Sequence, residues 1–357
     1  MSHVDETYMR RALQIARGGL LHASPNPMVG AVLVAPGGRI IGEGFHRRCG
    51  TPHAEPNAIS SVAEADRHLI PLSTLYVTLE PCSHQGRTPA CSRLIIEKQI
   101  PRVVIGSLDP FEKVNGKGVT MLRNAGVEVT VGVLEKECLA LNKRFITCHR
   151  CHRPWVTLKW AMTADGYIDA SPRTESHPLK ISTSLTSVAV HRLRAVHDAI
   201  LVGSQTVTAD NPSLNLRLFA GDNPVKIVLG GTSLNPTATI LSQQDTILFT
   251  TAAVDSVNAT TVNISPRDLH AVLSDLYNRG ISSVLVEGGA AVINSFIDSN
   301  LWDAIRVEIS PKTIPTDTLG IKAPRFPGDA VITSRTIIDG NLILSLEPRR
   351  PVEILPK

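Results

Sequence analysis

The feature that most constrains this 357-residue chain is a trio of metal-seeking side chains set around one acid. His53 and Glu55 stand in Thr51-Pro52-His53-Ala54-Glu55. Cys82 and Cys91 bracket the run Pro81-Cys82-Ser83-His84-Gln85-Gly86-Arg87-Thr88-Pro89-Ala90-Cys91. One imidazole and two thiols supply three of the four tetrahedral positions on Zn²⁺ and leave the fourth for water. Glu55, two residues after His53, is near enough to handle that water's proton without being a ligand. A closed structural zinc, or cysteines that are merely buried, are the plainer readings. A structural site usually wants a fourth Cys or His, and His84 is the one extra candidate in the stretch. The placement of Glu55 favours a catalytic zinc.

Length makes two domains the expectation, since single cores stop growing well below this size. Hydrophobic content of 43% and charged content of 19% describe a globular chain that is neither disordered nor collagen-like. Aromatic residues at 4% are too few for a platform that stacks single-stranded nucleic acid. A net charge of +4, with no Lys/Arg run beyond two, suits small anionic ligands better than a polynucleotide. The first residues carry acids and no apolar stretch, and no run approaches a membrane span. Six cysteines in a chain of this length do not make a disulfide framework. These points together lead us to expect a cytoplasmic protein.

Along the chain, helical spacing over residues 5–18 ends at Gly18-Gly19, and Val29–Val34 with Arg39–Phe45 flank Pro36-Gly37-Gly38 as a hairpin. His53 opens a helix to about residue 64, Leu75–Leu79 is a strand that delivers Cys82, and Cys91 opens a second helix. On a helix N-terminus the His53 and Glu55 side chains can point back toward one site. A strand at 102–105, a helix over 117–125, a strand at 127–131 and a helix over 134–143 complete a zinc-binding α/β domain spanning 1–146. Residues 147–154, basic and closed by Pro154, read as a linker. A second α/β domain follows over 155–357. Its expected strands lie at 155–161, 199–203, 225–229, 246–249 and 283–287, with helices over 184–195, 266–278 and after Gly288-Gly289. No internal repeat relates the halves.

Three further motifs carry less. Cys148-His149-Arg150-Cys151-His152 matches a haem-attachment pattern, yet it reads as an incidental part of the linker. Val286-Glu287-Gly288-Gly289 runs a strand into a helix, where backbone N–H groups could meet a phosphate or simply make a tight connection. The stretch Thr206–Arg217 reads as a polar loop in which an arginine could fork a phosphate. No Gly-x-Gly-x-x-Gly follows a strand, so a Rossmann-type site is not supported.

His-x-Glu followed by Pro-Cys and a further Cys is the signature of zinc deaminases, in which activated water attacks an amidine-like ring carbon and ammonia leaves. The gap between the cysteines is longer than the Cys-x-x-Cys usual in nucleoside and tRNA deaminases. With Pro25–Gly30, Gly42–His46, Glu80–Cys91, Asp109-Pro110 and Gly116-Lys117-Gly118, the N-terminal half resembles the bifunctional riboflavin-biosynthesis deaminase–reductase family. The resemblance continues through Leu158-Lys159, Asp165-Gly166, Leu193–Ala195, Val202-Gly203, Thr206-Val207, Asp210, Leu214, Arg217 and Val286–Gly289. It implies an α/β protein: a cytidine-deaminase-like three-layer α/β/α domain followed by a dihydrofolate-reductase-like α/β domain that uses NADPH. It implies deamination of 2,5-diamino-6-(5-phosphoribosylamino)pyrimidinone, then reduction of the product's ribosyl side chain to ribityl.

Carried over residue by residue, the resemblance makes His53, Cys82 and Cys91 the ligands of one Zn²⁺ and Glu55 the catalytic proton shuttle. Asn26 and His84 become pyrimidine contacts. Ala161, Lys180, Thr206, Asp210, Gly289 and Ser295 fall at the NADPH site, and Arg194, Leu214, Arg217 and Glu287 at the phosphoribosyl substrate. Lys180 stands where the family carries a tryptophan, and Asn211 replaces the second acid of Asp-Asp-Pro. The expected partners are small phosphoribosyl pyrimidines and copies of the chain itself, without nucleic acid or membrane. The rivals are a deaminase whose second half is only an oligomerisation scaffold, and an RNA-binding module.

Overall fold

The computed structural model describes residues 3–83, 90–109, 115–171, 178–230, 234–235, 237–254, 258–315 and 319–349. They form two compact units that divide between Cys151 and His152.

In the first unit the chain runs α1 (His3–Ala16), β1 (Gly30–Val34), β2 (Ile40–Phe45), α2 (Ala54–Ser60), β3 (Thr74–Leu79), α3 (Cys91–Glu97), β4 (Arg102–Ser107), α4 (Lys117–Asn124), β5 (Glu128–Val131), α5 (Glu135–Leu141) and α6 (Lys143–Cys151). The sheet order is β2-β1-β3-β4-β5, with β1 antiparallel to both neighbours and β3, β4 and β5 parallel. One face packs Ala54, Ala58 and Ile59 of α2, Ile95 of α3 and Leu122 of α4 against Leu33, Leu75 and Ile105. The other packs Met9, Ala12 and Leu13 of α1 and Cys138 of α5 against Val32, Tyr76 and Val104. The unit is therefore a three-layer α/β/α sandwich. Two glycines of β2 set how closely α2 approaches. A Cβ on Gly42 would lie 2.4 Å from the Ala58 carbonyl oxygen, and one on Gly44 would lie 2.2 Å from the Ala58 nitrogen.

The second unit contains β6 (Trp155–Thr163), β7 (Tyr167–Ala170), α7 (Ser184–Ala195), β8 (Ala199–Gly203), α8 (Ser204–Asp210), β9 (Val225–Leu229), β10 (Thr246–Phe249), β11 (Thr260–Val262), α9 (Leu269–Asn278), β12 (Ser283–Val286), α10 (Ala290–Asp298), β13 (Ala304–Ser310), β14 (Gly320–Lys322), β15 (Ala330–Ile338) and β16 (Asn341–Pro348). Nine strands order as β11-β10-β9-β8-β12-β6-β13-β16-β15, and β14 pairs with β7 apart from them. From β11 to β13 every neighbour is parallel, and β16 and β15 close the sheet antiparallel. The chain steps outward from β8 to β11, then returns to place β12 between β8 and β6. Such a reversal opens a crevice at the carboxyl ends of the strands.

Three of the segments that differ from the sequence-based expectation bear on the sites and the sheet edge. The expected linker at 147–154 is largely helical: α6 buries Ile146, Thr147 and Cys148. Asn142, just before it, exchanges hydrogen bonds with the Met28 backbone at 2.8 and 2.9 Å. The expected polar loop at 206–217 begins inside α8. Ser, Thr and Asp compete with a helix through local hydrogen bonds, but Val207 is buried among Ile200, Val202 and Leu214 and fixes the turn. Asn211 then stops it in the left-handed region, at φ 41°. Finally, β15 was not expected, because its exposed residues show no alternation.

Candidate active sites

In the first unit α2 and α3 bring their first turns together beside the end of β3. His53 caps α2 without a side-chain hydrogen bond to it, which leaves the ring free to face the thiols. Cys82 follows β3 by three residues, and Cys91 is the first residue of α3. His53 Nδ1 lies 3.3 Å from Cys91 Sγ and 3.7 Å from Cys82 Sγ, and all three donor atoms fall within 4.8 Å of one another. With Zn–N about 2.0 Å and Zn–S about 2.3 Å, tetrahedral donors stand roughly 3.5–3.8 Å apart. The nitrogen–sulfur spacings fit zinc. Cys82 is held well down, to about 4, first by its hydrogen bond with Cys91 and then by His53, against the effect of burial. Cys91 is pushed up by the same sharing of a proton. A thiolate is the form that ligates metal.

Glu55, in the first turn of α2, is only 3% exposed. Burial raises its carboxyl to about 7, the Cys82 charge adds to that, and His53 opposes it. A buried carboxyl beside the three donor atoms is placed to take a proton and return it. A cavity of about 280 Å³ opens over these residues and is walled by Asn26, His46, Leu79, Phe145 and His149. Asn26 Nδ2 lies 3.1 Å from His46 Nε2, and His46 Nδ1 lies 3.2 Å from the Pro52 carbonyl oxygen. His84 falls outside the described residues.

Several site residues escaped the sequence reading. His46 gave no signal beyond its place in a matching stretch. His149 falls in the segment read as a linker and Phe145 just before it; they form an i,i+4 pair with ring centroids 4.4 Å apart. Glu80, buried directly after β3, gathers backbone N–H groups from Asp109, Gly116, Gly118 and Val119 at 2.8–3.3 Å. It ties the backbone of Asp109, Gly116, Gly118 and Val119 to the end of the strand that leads to Cys82. Glu80 stands in the matching stretch Glu80–Cys91, but nothing in the sequence assigns it this bracing role.

The second unit holds a cavity of about 810 Å³ at the carboxyl ends of β8, β9, β10 and β12, within the size range of small-molecule sites. Thr206, Gly289 and Ser295, three of the six residues that the resemblance places at NADPH, line it. Ala161 lies on β6, Lys180 is exposed with its carbonyl oxygen accepting from Lys312 Nζ at 3.1 Å, and Asp210 ends α8; these three are not among the lining residues. The double glycine has two separate reasons. A Cβ on Gly288 would meet Val202 Cα at 2.5 Å, whereas Gly289 has φ +66°. The first is packing against β8, and the second opens the cavity wall before α10. The wall of small residues, hydroxyls and a helix start suits a dinucleotide's phosphates.

Arg194 and Glu287 form a buried bidentate pair at 3.0 and 2.7 Å. Burial pushes the Glu287 carboxyl upward, but Arg194 and Lys159 outweigh it and hold it below its ordinary value. His191 is lowered by burial and by the nearby charges of Arg194 and Arg217, and its Nδ1 accepts from the Arg217 backbone nitrogen at 3.1 Å. The residues expected at the phosphoribosyl substrate are thus grouped, with Lys159 and His191 added. Leu214 differs in kind: its side chain packs in the core with Ile200 and Val202, and it offers only backbone, at φ +54°.

These two sites define a class, a zinc deaminase unit joined to an α/β reductase unit. Residues 2–107 match the family of the cytidine and deoxycytidylate deaminase zinc-binding region, and residues 154–328 match the RibD C-terminal domain. The chain is 39% identical to the riboflavin biosynthesis protein RibD of Aquifex aeolicus over 319 residues, 87% of each chain. It is 34% identical to that of Escherichia coli over 89% of this chain and 90% of that one. A crystal structure of a diaminohydroxyphosphoribosylaminopyrimidine deaminase/5-amino-6-(5-phosphoribosylamino)uracil reductase from Thermotoga maritima is similar with TM-score 0.84, at 37% identity, covering 97% of this chain and 99% of that one. The chain belongs to the RibD family of riboflavin biosynthesis proteins. It is a bifunctional enzyme, deaminase and reductase, with Zn²⁺ and NADPH as cofactors.

Proposed function

We propose that unit one, Met1–Cys151, removes the ring amino group of 2,5-diamino-6-(5-phosphoribosylamino)pyrimidinone as ammonia, and that unit two, His152–Lys357, reduces the ribosyl side chain of the product to ribityl. The observation that carries this reading is the cluster of one imidazole and two thiols beside a buried carboxyl, in a chain whose other half builds a dinucleotide-sized cavity. His53, Cys82 and Cys91 hold the zinc. Bound there, zinc acidifies water, and NADPH in the second unit supplies hydride. Glu55 takes a proton from the attacking water and returns it to the departing amino group. Asn26 and His84 hold the pyrimidine, and Asn26 is oriented by His46.

In unit two, Thr206, Gly289 and Ser295 face the cofactor, with Ala161, Lys180 and Asp210 assigned to it by family resemblance. Arg217 meets the substrate phosphate, and the Arg194–Glu287 pair fixes the sugar end. Purified protein given the diamino substrate should release ammonia without NADPH and should consume NADPH only after ammonia appears. NADPH consumption that never follows would leave unit two without its assigned reaction.

No helix among the described residues is long and apolar enough to cross a membrane, and we assign the chain to the cytoplasm on its cysteine usage and phosphorylated substrates. The chain forms a homo-oligomer through β15. That strand ends the sheet, and its Val331, Ile332 and Ile337 are 41%, 39% and 74% exposed. An open edge strand with apolar residues at both ends can pair antiparallel with its own copy across a two-fold axis. Sedimentation should show a dimer that Ile337→Lys converts to monomer; a monomeric parent protein would sink this assignment.

A further inference from the structure

The large cavity of unit two has one charged residue in its described lining. Arg267 is that residue, and the rest are glycines, aliphatic side chains, Pro266, Gln205 and hydroxyls, among them Thr250, Thr251 and Ser265. No carboxylate appears among the described lining residues. The acid next in sequence, Asp268, is occupied in capping α9, where its Oδ1 accepts from the Ala271 nitrogen at 3.0 Å. Arg267 itself is exposed, and its backbone N–H reaches Ser265 Oγ at 3.4 Å.

Position in the sheet says which part of a ligand Arg267 would meet. It follows β11, four strands from β12 in the sheet order, or roughly 19 Å at about 4.8 Å per strand. Gly289 and the Arg194–Glu287 pair lie at the β12 end. If the cavity takes the cofactor as proposed above, the ring that donates hydride must lie at that end, beside the sugar to be reduced. The adenosine half then extends toward β10 and β11. NADPH and NADH differ only there, by the phosphate on the adenosine 2′ oxygen. Sites for the unphosphorylated ribose place a carboxylate on its 2′ hydroxyl, whereas an arginine accommodates the 2′ phosphate. A guanidinium can fork such a phosphate through two N–H groups.

We propose that Arg267 is the specificity-determining residue that selects the 2′-phosphorylated dinucleotide, with the hydroxyls of Ser265 and Thr251 beside it. The assignment rests on reading this cavity as the cofactor's, and the test separates the two. Dissociation constants for NADPH and NADH, and for adenosine 2′,5′-bisphosphate against 5′-AMP, are measured by calorimetry on the full-length protein and on Arg267→Ala and Arg267→Lys. Loss of one charge-assisted contact should weaken NADPH and the bisphosphate about 10- to 100-fold, leave NADH and 5′-AMP within twofold, and be partly restored by lysine. Equal weakening of both members of each pair, or unchanged NADPH binding, overturns the role of Arg267. A parent protein that binds none of the four overturns the cavity reading itself, and the proposal with it. The exposure of Arg267 keeps the variants foldable, which an unchanged melting temperature checks.

Discussion

The two units solve the same problem, a reactive site at the end of an α/β sheet, with opposite materials. Unit one concentrates rare side chains. An imidazole, two thiols and a buried carboxyl meet at two helix starts, in a cavity of about 280 Å³. Unit two spreads common ones, building about 810 Å³ mainly from backbone, glycines and hydroxyls at four strand ends. Its densest chemistry, the Arg194–Glu287 pair, is neutralised within the protein. A site made of scarce donors should fail outright when one is removed. A site made of distributed surface should fail by degrees.

Glu55→Gln should give the largest effect and breaks the comparison if it does not. The amide keeps the volume and loses the proton transfer, so ammonia release should fall at least about 10²- to 10⁴-fold. Bound zinc should stay at the parental level by metal analysis, and NADPH oxidation with the already deaminated substrate should be unchanged. Zinc lost along with activity would make Glu55 part of the metal's support and end the division between ligand and base.

The same contrast explains what could be read from the residues alone. Zinc chemistry demands particular side chains at short spacings, so His53, Glu55, Cys82 and Cys91 announced themselves and the structure gathers them. Parallel core strands such as Ala199–Gly203 and Val225–Leu229 were legible as apolar runs, since both of their faces are covered. The failures are segments where tertiary packing overrides local preference. α6 hides Ile146 and Cys148 under basic neighbours, and α8 is held by Val207 despite its hydroxyl-rich sequence. Phe145 and His149 went unseen because their helix did. In unit two, Leu214 shows a different limit: a position singled out by family resemblance has its side chain in the core and leaves only its backbone to meet a ligand.

Glu287→Gln comes next and tests whether unit two's one concentrated feature behaves like unit one's. The Arg194 and Glu287 side chains are 13% and 8% exposed, so the variant leaves a buried guanidinium uncompensated, at a cost of about 3–5 kcal/mol. For a unit of this size that lowers its melting temperature by on the order of 10 °C. The pH dependence has a definite sign. The folded Glu287 carboxyl lies below its ordinary 4.5, so its contribution is complete above that value and is lost as pH falls through the folded pKa. The gap between parent and variant should therefore be full at pH 7 and shrink progressively below about pH 4.5. A gap that persists undiminished in acid would mean the loss is one of packing, not charge. Ammonia release by unit one should be unaffected.

The smallest effect is expected at Thr183, which holds α7 without touching either site. Its hydroxyl accepts from the Thr186 nitrogen at 3.3 Å, and Thr186 Oγ1 accepts from the Thr183 nitrogen at 2.8 Å, a reciprocal cap at the start of the helix that ends at Ala195. Thr183→Ala removes one half of it, for about 1 kcal/mol, or about 2–4 °C in the melting of unit two. Arg194 sits a full helix length away, in the last turn of α7, and is clamped by Glu287. If the substrate site depends on that clamp rather than on helix stability, KM for the deaminated substrate should stay within twofold at a temperature well below melting. A rise in KM as large as that caused by Glu287→Gln would show that α7 as a whole positions Arg194, and that the distributed site of unit two is as brittle as the zinc site of unit one.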